Sequence, residues 1–161
     1  MAKLPAVNTS PLIFLSKSGY LNLLQLISPE IIVPQAVATE IEAYGTNDIT
    51  AKALAKTEWL IITEIPTTPT IIQNWNLGAG ESEVLAWGYL HSDTEIILDD
   101  LAARRCAKYL EIPVRGTLGL VLIAKQRNVI PSARQVLEKL RLSGMYLSNR
   151  VMDRALAKVK E

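Results

Sequence analysis

Acidic and amide side chains occur in this chain at points where a divalent metal ion could be bound. Five residues share this property, since each follows a predicted strand or lies on a predicted helix: Asn8, Glu40, Glu81, Asp99 and Asp100. Carboxylate and amide oxygens are ligands that Mg²⁺ and Mn²⁺ accept in proteins. An ion held by such oxygens can neutralise a phosphate and activate a water molecule, which is the chemistry of phosphodiester hydrolysis.

Asn8 occupies a position where an aspartate would complete such a metal site. The preceding residues, 3–7, predict a first strand, and Ser10 and Pro11 open a helix, so Asn8 lies at the carboxyl end of the strand. An amide offers a carbonyl oxygen to a metal but adds no negative charge. Asn8 therefore favours a protein with weakened or lost catalysis, whereas the carboxylates favour an active enzyme.

The doublet Asp99-Asp100 directly follows a strongly apolar segment, residues 95–98. In a parallel sheet, ligands bind outside the carboxyl ends of the strands, close to a switch in strand order. If this strand neighbours the first one, we expect Asp99 or Asp100 to face Asn8. The alternative is that the doublet caps the next helix, because aspartate accepts hydrogen bonds from free N–H groups at a helix start.

Two glutamates lie on predicted helices whose apolar faces turn inward. Glu81 falls on the same face as Val84 and Leu85, where a carboxylate needs a cation or hydrogen-bond donors. Glu40 lies beside the apolar face that includes Ile41. The alternatives are a favourable first-turn acid for Glu81 and a solvated side chain for Glu40.

Short apolar segments alternate with longer amphipathic segments along the chain, which predicts strands alternating with helices. Strands are predicted over residues 3–7, 30–33, 59–62, 95–98 and 113–115. Helices are predicted over residues 11–18, 34–44, 49–56, 81–91, 101–110, 117–127 and 136–142, with one or two helical turns over 20–27. Ser132 fits the cap of the helix over 136–142, Gly144 its end, and Ser148 the cap of a last helix. Residues 65–73 are expected to be a loop with a short strand or turn. We therefore predict an α/β protein, with helices on both faces of a mainly parallel central sheet of about four to five strands.

The composition fits one folded domain over residues 1–161, with a helical extension at about 131–161. Hydrophobic residues make up 49% of the chain and charged residues 20%, which excludes a disordered protein. Apolar runs stay shorter than the roughly 18 residues of a membrane span, so no membrane is expected as a partner. Cys106 is the single cysteine, which is typical of a reducing compartment and favours the cytoplasm.

The charges of the chain are divided unevenly between its two parts. Residues 1–100 contain four basic and twelve acidic side chains, whereas residues 101–161 contain thirteen basic and four acidic ones. A basic surface beside an acidic site is typical of proteins that bind phosphates of a nucleic acid. The alternative is a set of amphipathic helices with solvated basic faces. Candidate contacts to a nucleic acid are Ser10, Arg104, Arg105, Arg115 and Thr117.

Five motifs, taken together in this order and spacing, resemble the PIN-domain superfamily, in particular a prokaryotic branch of predicted nucleic-acid-binding proteins. They are residues 7–13, Val33-Pro34 with Val37 and Glu40-Ile41, residues 80–83, residues 98–100 with Ala103-Arg104, and residues 116–119. The resemblance runs from about residue 5 to the C-terminus. It implies a PIN-like three-layer α/β/α fold.

PIN domains are typically metal-dependent ribonucleases, and many are the toxins of toxin–antitoxin pairs. The resemblance implies Glu40, Glu81 and Asp99 as catalytic residues and Asn8, Glu81, Asp99 and Asp100 as ligands of Mg²⁺ or Mn²⁺. It also implies RNA as substrate, a small antitoxin-like partner protein and a homodimer. Because Asn8 stands in place of the first aspartate, a catalytically weak or inactive module that binds nucleic acid or protein is the alternative function.

Overall fold

A computed structural model describes residues 3–161 and contains five strands in that range, all paired in parallel. They are β1 (Ala6–Val7), β2 (Ile31–Pro34), β3 (Leu60–Thr63), β4 (Ile96–Ile97) and β5 (Val114–Arg115). Their order in the sheet is β3-β2-β1-β4-β5. The predicted parallel sheet is therefore confirmed, although β1 is shorter than the five residues expected.

Helices cover the sheet, and all of them except α4 follow from local signals in the sequence. Within residues 3–161 they are α1 (Thr9–Ser18), a 3₁₀ helix (Leu21–Leu26), α2 (Gln35–Glu42), α3 (Ile49–Lys56), α4 (Thr70–Gln73), α5 (Ala79–Leu90), α6 (Leu101–Tyr109), α7 (Thr117–Gln126), α8 (Ala133–Leu142) and α9 (Asn149–Ala157). Helices α2, α4 and α6 pack against α5, whereas α1, α7, α8 and α9 pack together in a second group. This arrangement is the predicted three-layer α/β/α fold.

One segment differs from the sequence-based expectation. Residues 65–73 were expected to form a loop with a short strand or turn, but the structure forms the short helix α4 there. Pro69 directly precedes this helix, and the side chain of Ile72 is fully buried. Burial of one apolar side chain in the core explains why this proline- and threonine-rich segment turns into a helix.

The core of the sheet is apolar on both faces. The strand residues Ile31, Val33, Ile96 and Ile97 are fully buried, as expected for central parallel strands with helices on both sides. Strand β1 lies between β2 and β4. The next two strands in the sequence, β2 and β3, lie on one side of β1, and the last two, β4 and β5, lie on the other side. The carboxyl ends of β1 and β4 therefore form the switch point at which ligands bind in such sheets.

The C-terminal helices α8 and α9 are connected by hydrogen bonds between the start of α8 and the chain segment that follows α9. Ser132 caps α8, because its hydroxyl accepts the N–H of Gln135 at 3.2 Å, as the sequence predicts. Helix α8 ends near Gly144, whose φ of +107° lies in the left-handed region that favours glycine. The chain then passes through residues 145–147 into α9, which packs against α7 and α8. No helix in residues 3–161 is long and apolar enough to cross a membrane.

The carboxylate of Glu161 completes the cap of α8. It accepts hydrogen bonds from the N–H groups of Ala133 (2.7 Å) and Arg134 (3.2 Å) and from the hydroxyl of Ser132 (3.1 Å). The ammonium of Lys125 lies 3.5 Å away. Burial alone would raise the pKa of Glu161, but these hydrogen bonds and the charge of Lys125 outweigh it and hold the pKa below its usual value of 4.5.

Glu161→Gln is expected to lower the free energy of unfolding by about 1 kcal/mol at neutral pH, the usual worth of a helix N-cap. Because the folded-state pKa is lowered, the stabilisation is complete above about 4.5 and disappears as the pH falls through the folded-state value. Chemical denaturation at a series of pH values measures both effects. The control Glu64→Gln changes an exposed glutamate, and an equal loss in both variants would refute the capping role.

Candidate functional site

A cleft of about 750 Å³ opens at the carboxyl edge of the sheet, beside the switch point between β1 and β4. Its walls come from the starts of α1, α5, α6 and α7 and from the segment between α8 and α9. Six residues that the sequence singled out line it: Ser10, Glu81, Asp99, Asp100, Arg104 and Arg115. The structure thus brings acidic and basic candidates into one cavity.

Asp99 is held in place by the first residue of α7. Its Oδ1 accepts the backbone N–H of Thr117 at 2.8 Å, and its Oδ2 accepts the Thr117 hydroxyl at 2.6 Å. Thr117 is fully buried, so it supports Asp99 from beneath. The start of a helix favours a negative charge, and an ionised carboxylate has about four acceptor sites, so capacity remains for a further ligand in the cleft.

Asp100 serves mainly as a helix cap. Its Oδ2 accepts the N–H of Ala103 at 2.9 Å, at the start of α6, and its side chain is exposed. The capping alternative from the sequence therefore holds for Asp100. Asp99 is the residue of the doublet whose carboxylate is held by a different helix, α7, through Thr117.

Asn8 is buried at the end of β1, with an exposure of only 2%. Its backbone N–H donates to the carbonyl of Ile97 at 3.0 Å, which fixes it beside β4. Within the described residues, its Oδ1 and the hydroxyl of Thr9 have no hydrogen-bond partner. A buried acceptor left without a donor costs about 1–3 kcal/mol, so this oxygen suits a cation or a water molecule.

Gly80 leaves the space next to the Asn8 side chain. A Cβ at this position would lie 3.3 Å from Asn8 Oδ1 and 3.6 Å from the Thr9 hydroxyl oxygen. The residue that follows, Glu81, is half-buried in the first turn of α5 and lines the cleft. The start of α5 therefore lies against the Asn8 side chain through Gly80, and the next residue along the helix lines the cleft.

The carboxylates of Glu81 and Glu83 have different surroundings, and helical periodicity predicts only part of this difference. The Glu81 carboxylate folds back over the start of its own helix, because its Oε2 lies 2.5 Å from where a Cβ of Gly78 would be. Glu81 therefore lies over the first turn of α5 and lines the cleft at the same time. Helical spacing directs Glu83 away from the apolar face that holds Glu81 and predicts a solvated side chain, but Glu83 Oε1 accepts the N–H of Ala36 at 2.9 Å and so helps to cap α2.

Four candidates are not among the residues that line the cleft: Asn8, Glu40, Arg105 and Thr117. Asn8 and Thr117 are buried, so Thr117 is not exposed to a nucleic acid as expected and holds Asp99 instead. Glu40 is exposed on α2 and does not belong to the cleft lining. Arg105 is exposed on α6 and lines a separate cavity. Helical spacing placed Glu40 close to an apolar face, but in the folded protein it extends into solvent, which is the alternative stated for it.

Arg104 lies inside the cleft, next to the strand end that carries Asp99. Its Nη1 donates to the carbonyl of Leu98 at 3.0 Å. Arg104 Nη1 and Asp99 Oδ1 both lie close to Gly116, since a Cβ at this glycine would be 2.5 Å from the nitrogen and 3.1 Å from the oxygen. The nitrogen and the oxygen are therefore no farther apart than the sum of these two distances. Gly116 therefore provides the space in which the guanidinium and the carboxylate approach. A guanidinium has five N–H donors, and the remaining ones are suited to a phosphate.

Arg115 also lines the cleft but has a partner of its own. Its Nε and Nη2 donate to the two carboxylate oxygens of Glu95, each at 3.0 Å. This bidentate pair holds Arg115 at the end of β5 and partly neutralises its charge. Arg104 is thus the stronger candidate for contact with a phosphate.

A divalent cation would have few ligands at this edge of the sheet. No group of three or more aspartate, glutamate, histidine or cysteine side chains that could hold a metal is found in residues 3–161. The oxygen donors near the switch point are the carboxylates of Glu81 and Asp99 and the uncomplemented amide oxygen of Asn8. Oxygen ligands suit Mg²⁺ or Mn²⁺, but with two charged donors instead of three, the affinity should be low.

The sequence did not indicate one wall of the cleft. Met145, Tyr146, Leu147 and Val151 contribute it, and Tyr146 is 90% exposed. Gly144 marked the end of a helix, but no local pattern shows that the residues after it turn towards the sheet edge. Only the packing of α9 against α7 and α8 brings this segment to the site.

Comparison with known families assigns the chain. A family model described as PIN domain matches residues 5–161, almost the whole chain. No curated protein and no solved structure is significantly similar to it. The family is one of nuclease-type, nucleic-acid-binding domains that generally use divalent metal ions. With its parallel sheet and its carboxylates at the switch point, the chain belongs to the PIN-domain family.

Proposed function

We propose that the protein is a metal-dependent ribonuclease that hydrolyses phosphodiester bonds of RNA with Mg²⁺ or Mn²⁺. The observation that carries the proposal is the position of Asp99 and Glu81 in one cleft at the switch point, beside the uncomplemented oxygen of Asn8. When a divalent ion is bound, it supplies charge that stabilises the phosphate and activates a water molecule. Asp99, Glu81 and the Asn8 oxygen would hold it.

Within this proposal the protein residues have distinct tasks. Thr117 keeps the Asp99 carboxylate oriented through two hydrogen bonds, so that its outer lone pairs face the cleft. Arg104 is anchored through Nη1 to Leu98, and its other donors bind a non-bridging phosphate oxygen. Asp100 lines the cleft but remains a helix cap.

A second function is favoured by the low charge of the site. Asn8 is neutral, the third acidic side chain of the cleft, Asp100, is engaged as a helix cap, and no group of three metal-binding side chains is found in the described chain. A protein that binds nucleic acid without cutting it, or that pairs with another protein, would need no tightly bound metal. The two functions differ in one measurable property, which is metal-stimulated cleavage.

On the family resemblance alone, we also propose a toxin-like role in the cytoplasm, with a small antitoxin-like partner and a homodimeric state. Sedimentation velocity tests the dimer. An adjacent reading frame that encodes a small DNA-binding protein would support the partner.

Asp99→Asn and Glu81→Gln are each expected to lower metal-stimulated RNA cleavage by at least about 100-fold, the order seen when a group that stabilises the transition state is removed. Both changes keep the shape of the side chain and remove its charge. Cleavage of a labelled single-stranded RNA is measured with Mg²⁺, with Mn²⁺ and with EDTA. The matched control Glu42→Gln changes an exposed glutamate on α2 and should cleave like the wild type.

Glu40→Gln belongs in the same assay. Because Glu40 is exposed and lies outside the cleft lining, its loss should affect cleavage less than the loss of Glu81. Absence of cleavage by the wild type with any divalent metal would reject the enzyme and leave the binding module. Full activity of both cleft variants would reject the site.

Asn8→Asp is expected to tighten Mn²⁺ binding by at least about tenfold, or 1.4 kcal/mol, because it adds a negative charge at a buried position. Without metal, the same variant should be less stable than the wild type, since the new charge is buried beside Thr9 and Gly80. Isothermal titration and thermal unfolding with and without Mn²⁺ measure the two effects. The control Asn47→Asp adds the same charge at an exposed site, and equal behaviour of the two variants would remove Asn8 from the metal site.

A further inference from the structure

A second cavity, of about 380 Å³, lies next to the cleft along α6. Leu101, Arg104 and Val114 line both cavities, so the two are separated only by these shared residues. The remaining lining residues of the second cavity are Arg105, Lys108 and Ile112. We name it the basic cavity, because its only charged lining residues in the described chain are Arg104, Arg105 and Lys108.

The basic cavity is lined by positive charges alone, whereas the cleft is lined by charges of both signs. Within residues 3–161, no acidic side chain lies within ion-pair distance of Arg104, Arg105 or Lys108, whereas the cleft contains Glu81 and Asp99. Arg105 and Lys108 are exposed on one side of α6, and their charges are thus available to an anion. An anion such as a phosphate is therefore attracted to the basic cavity more strongly than to the acidic side chains of the cleft.

Apolar surface accompanies the charges along the same line. Leu101, at the junction of the two cavities, is 70% exposed, and Ile112 and Val114 form part of the floor of the basic cavity. At the edge of the cleft, Tyr146 is 90% exposed. Exposed aromatic rings next to arginines bind unpaired bases by stacking, which a base inside a duplex cannot do.

From these observations we propose that the basic cavity is a binding subsite for single-stranded RNA, which holds phosphates of nucleotides flanking the one in the cleft, while Tyr146 stacks on a base at the opposite end. The proposal rests on the proposed function for the choice of RNA as ligand. It adds Lys108 and Tyr146 to the residues that the sequence indicated. The RNA would run along α6 from the basic cavity, which binds its backbone, to the cleft, where it is cleaved.

The test is fluorescence anisotropy with labelled RNA in EDTA, so that binding is measured without cleavage. The double variant Arg105→Gln/Lys108→Gln should weaken binding of a single strand of about 12 nucleotides by tenfold or more and lower the slope of log K against log salt by about 0.7 for each lost phosphate contact. A dinucleotide, whose single phosphodiester cannot occupy both cavities at once, should be affected less. The double variant Lys52→Gln/Lys56→Gln removes two exposed charges from α3 and is the matched control.

Tyr146 is tested by two substitutions at the same position. Tyr146→Ala should weaken single-strand binding, whereas Tyr146→Trp should retain it and show quenching of the indole on addition of RNA. Equal losses in the α3 and α6 double variants would overturn the proposal, and so would duplex RNA that binds as tightly as the single strand, or a wild type that binds no RNA. If binding depends on Arg105 and Lys108 but no metal supports cleavage, the ribonuclease function fails while the subsite remains.

Discussion

The parallel pairing of β1 with β4 is the constraint on which the site depends. The N–H of Asn8 donates to the carbonyl of Ile97, and the N–H of Leu98 donates to the carbonyl of Arg115, so three strand ends are held in register by backbone hydrogen bonds. Side chains that follow these strands must then meet at one edge. Asp99, Gly116 and Asn8 reach this edge through the backbone, whatever their side chains do, and so the fold can keep the geometry even where the chemistry of one position has changed.

Helix starts supply the second set of constraints. Asp99 accepts two hydrogen bonds from the first residue of α7, Glu83 helps to cap α2, and Asp100 caps α6. Each carboxylate satisfies N–H groups that a helix start leaves without partners. Of the acids close to the cleft, Glu83 lies outside its lining, and Asp100 lines it but is engaged as a helix cap, so Asp99 and Glu81 are the remaining lining acids. The division explains how a region rich in acids offers so few of them to a metal ion.

Much of the fold follows from local sequence signals, because apolar periodicity, prolines and capping residues act over a few positions. Helix α3 has the predicted bounds, and Ser132 and Ser148 cap the helices as expected. The strand-end positions of Asn8 and Asp99 follow from the same rules. Three features do not follow from local signals, because each depends on contacts between segments far apart in sequence. They are the role of Glu83 as a cap, the packing of Arg104 over Gly116 and the wall formed by Tyr146.

The anchoring of Arg104 has a consequence for the entropy of ligand binding. A free arginine side chain carries about 2 kcal/mol of rotamer entropy, which it loses when it binds a phosphate. Arg104 has already lost much of this freedom during folding, since its Nη1 is bound to Leu98 and packed over Gly116. Arg105 and Lys108 remain exposed and must become ordered when a ligand arrives. The anchored guanidinium would therefore bind a phosphate at a lower entropic cost than Arg105 and Lys108, whose contribution to the affinity is reduced by the ordering that binding requires.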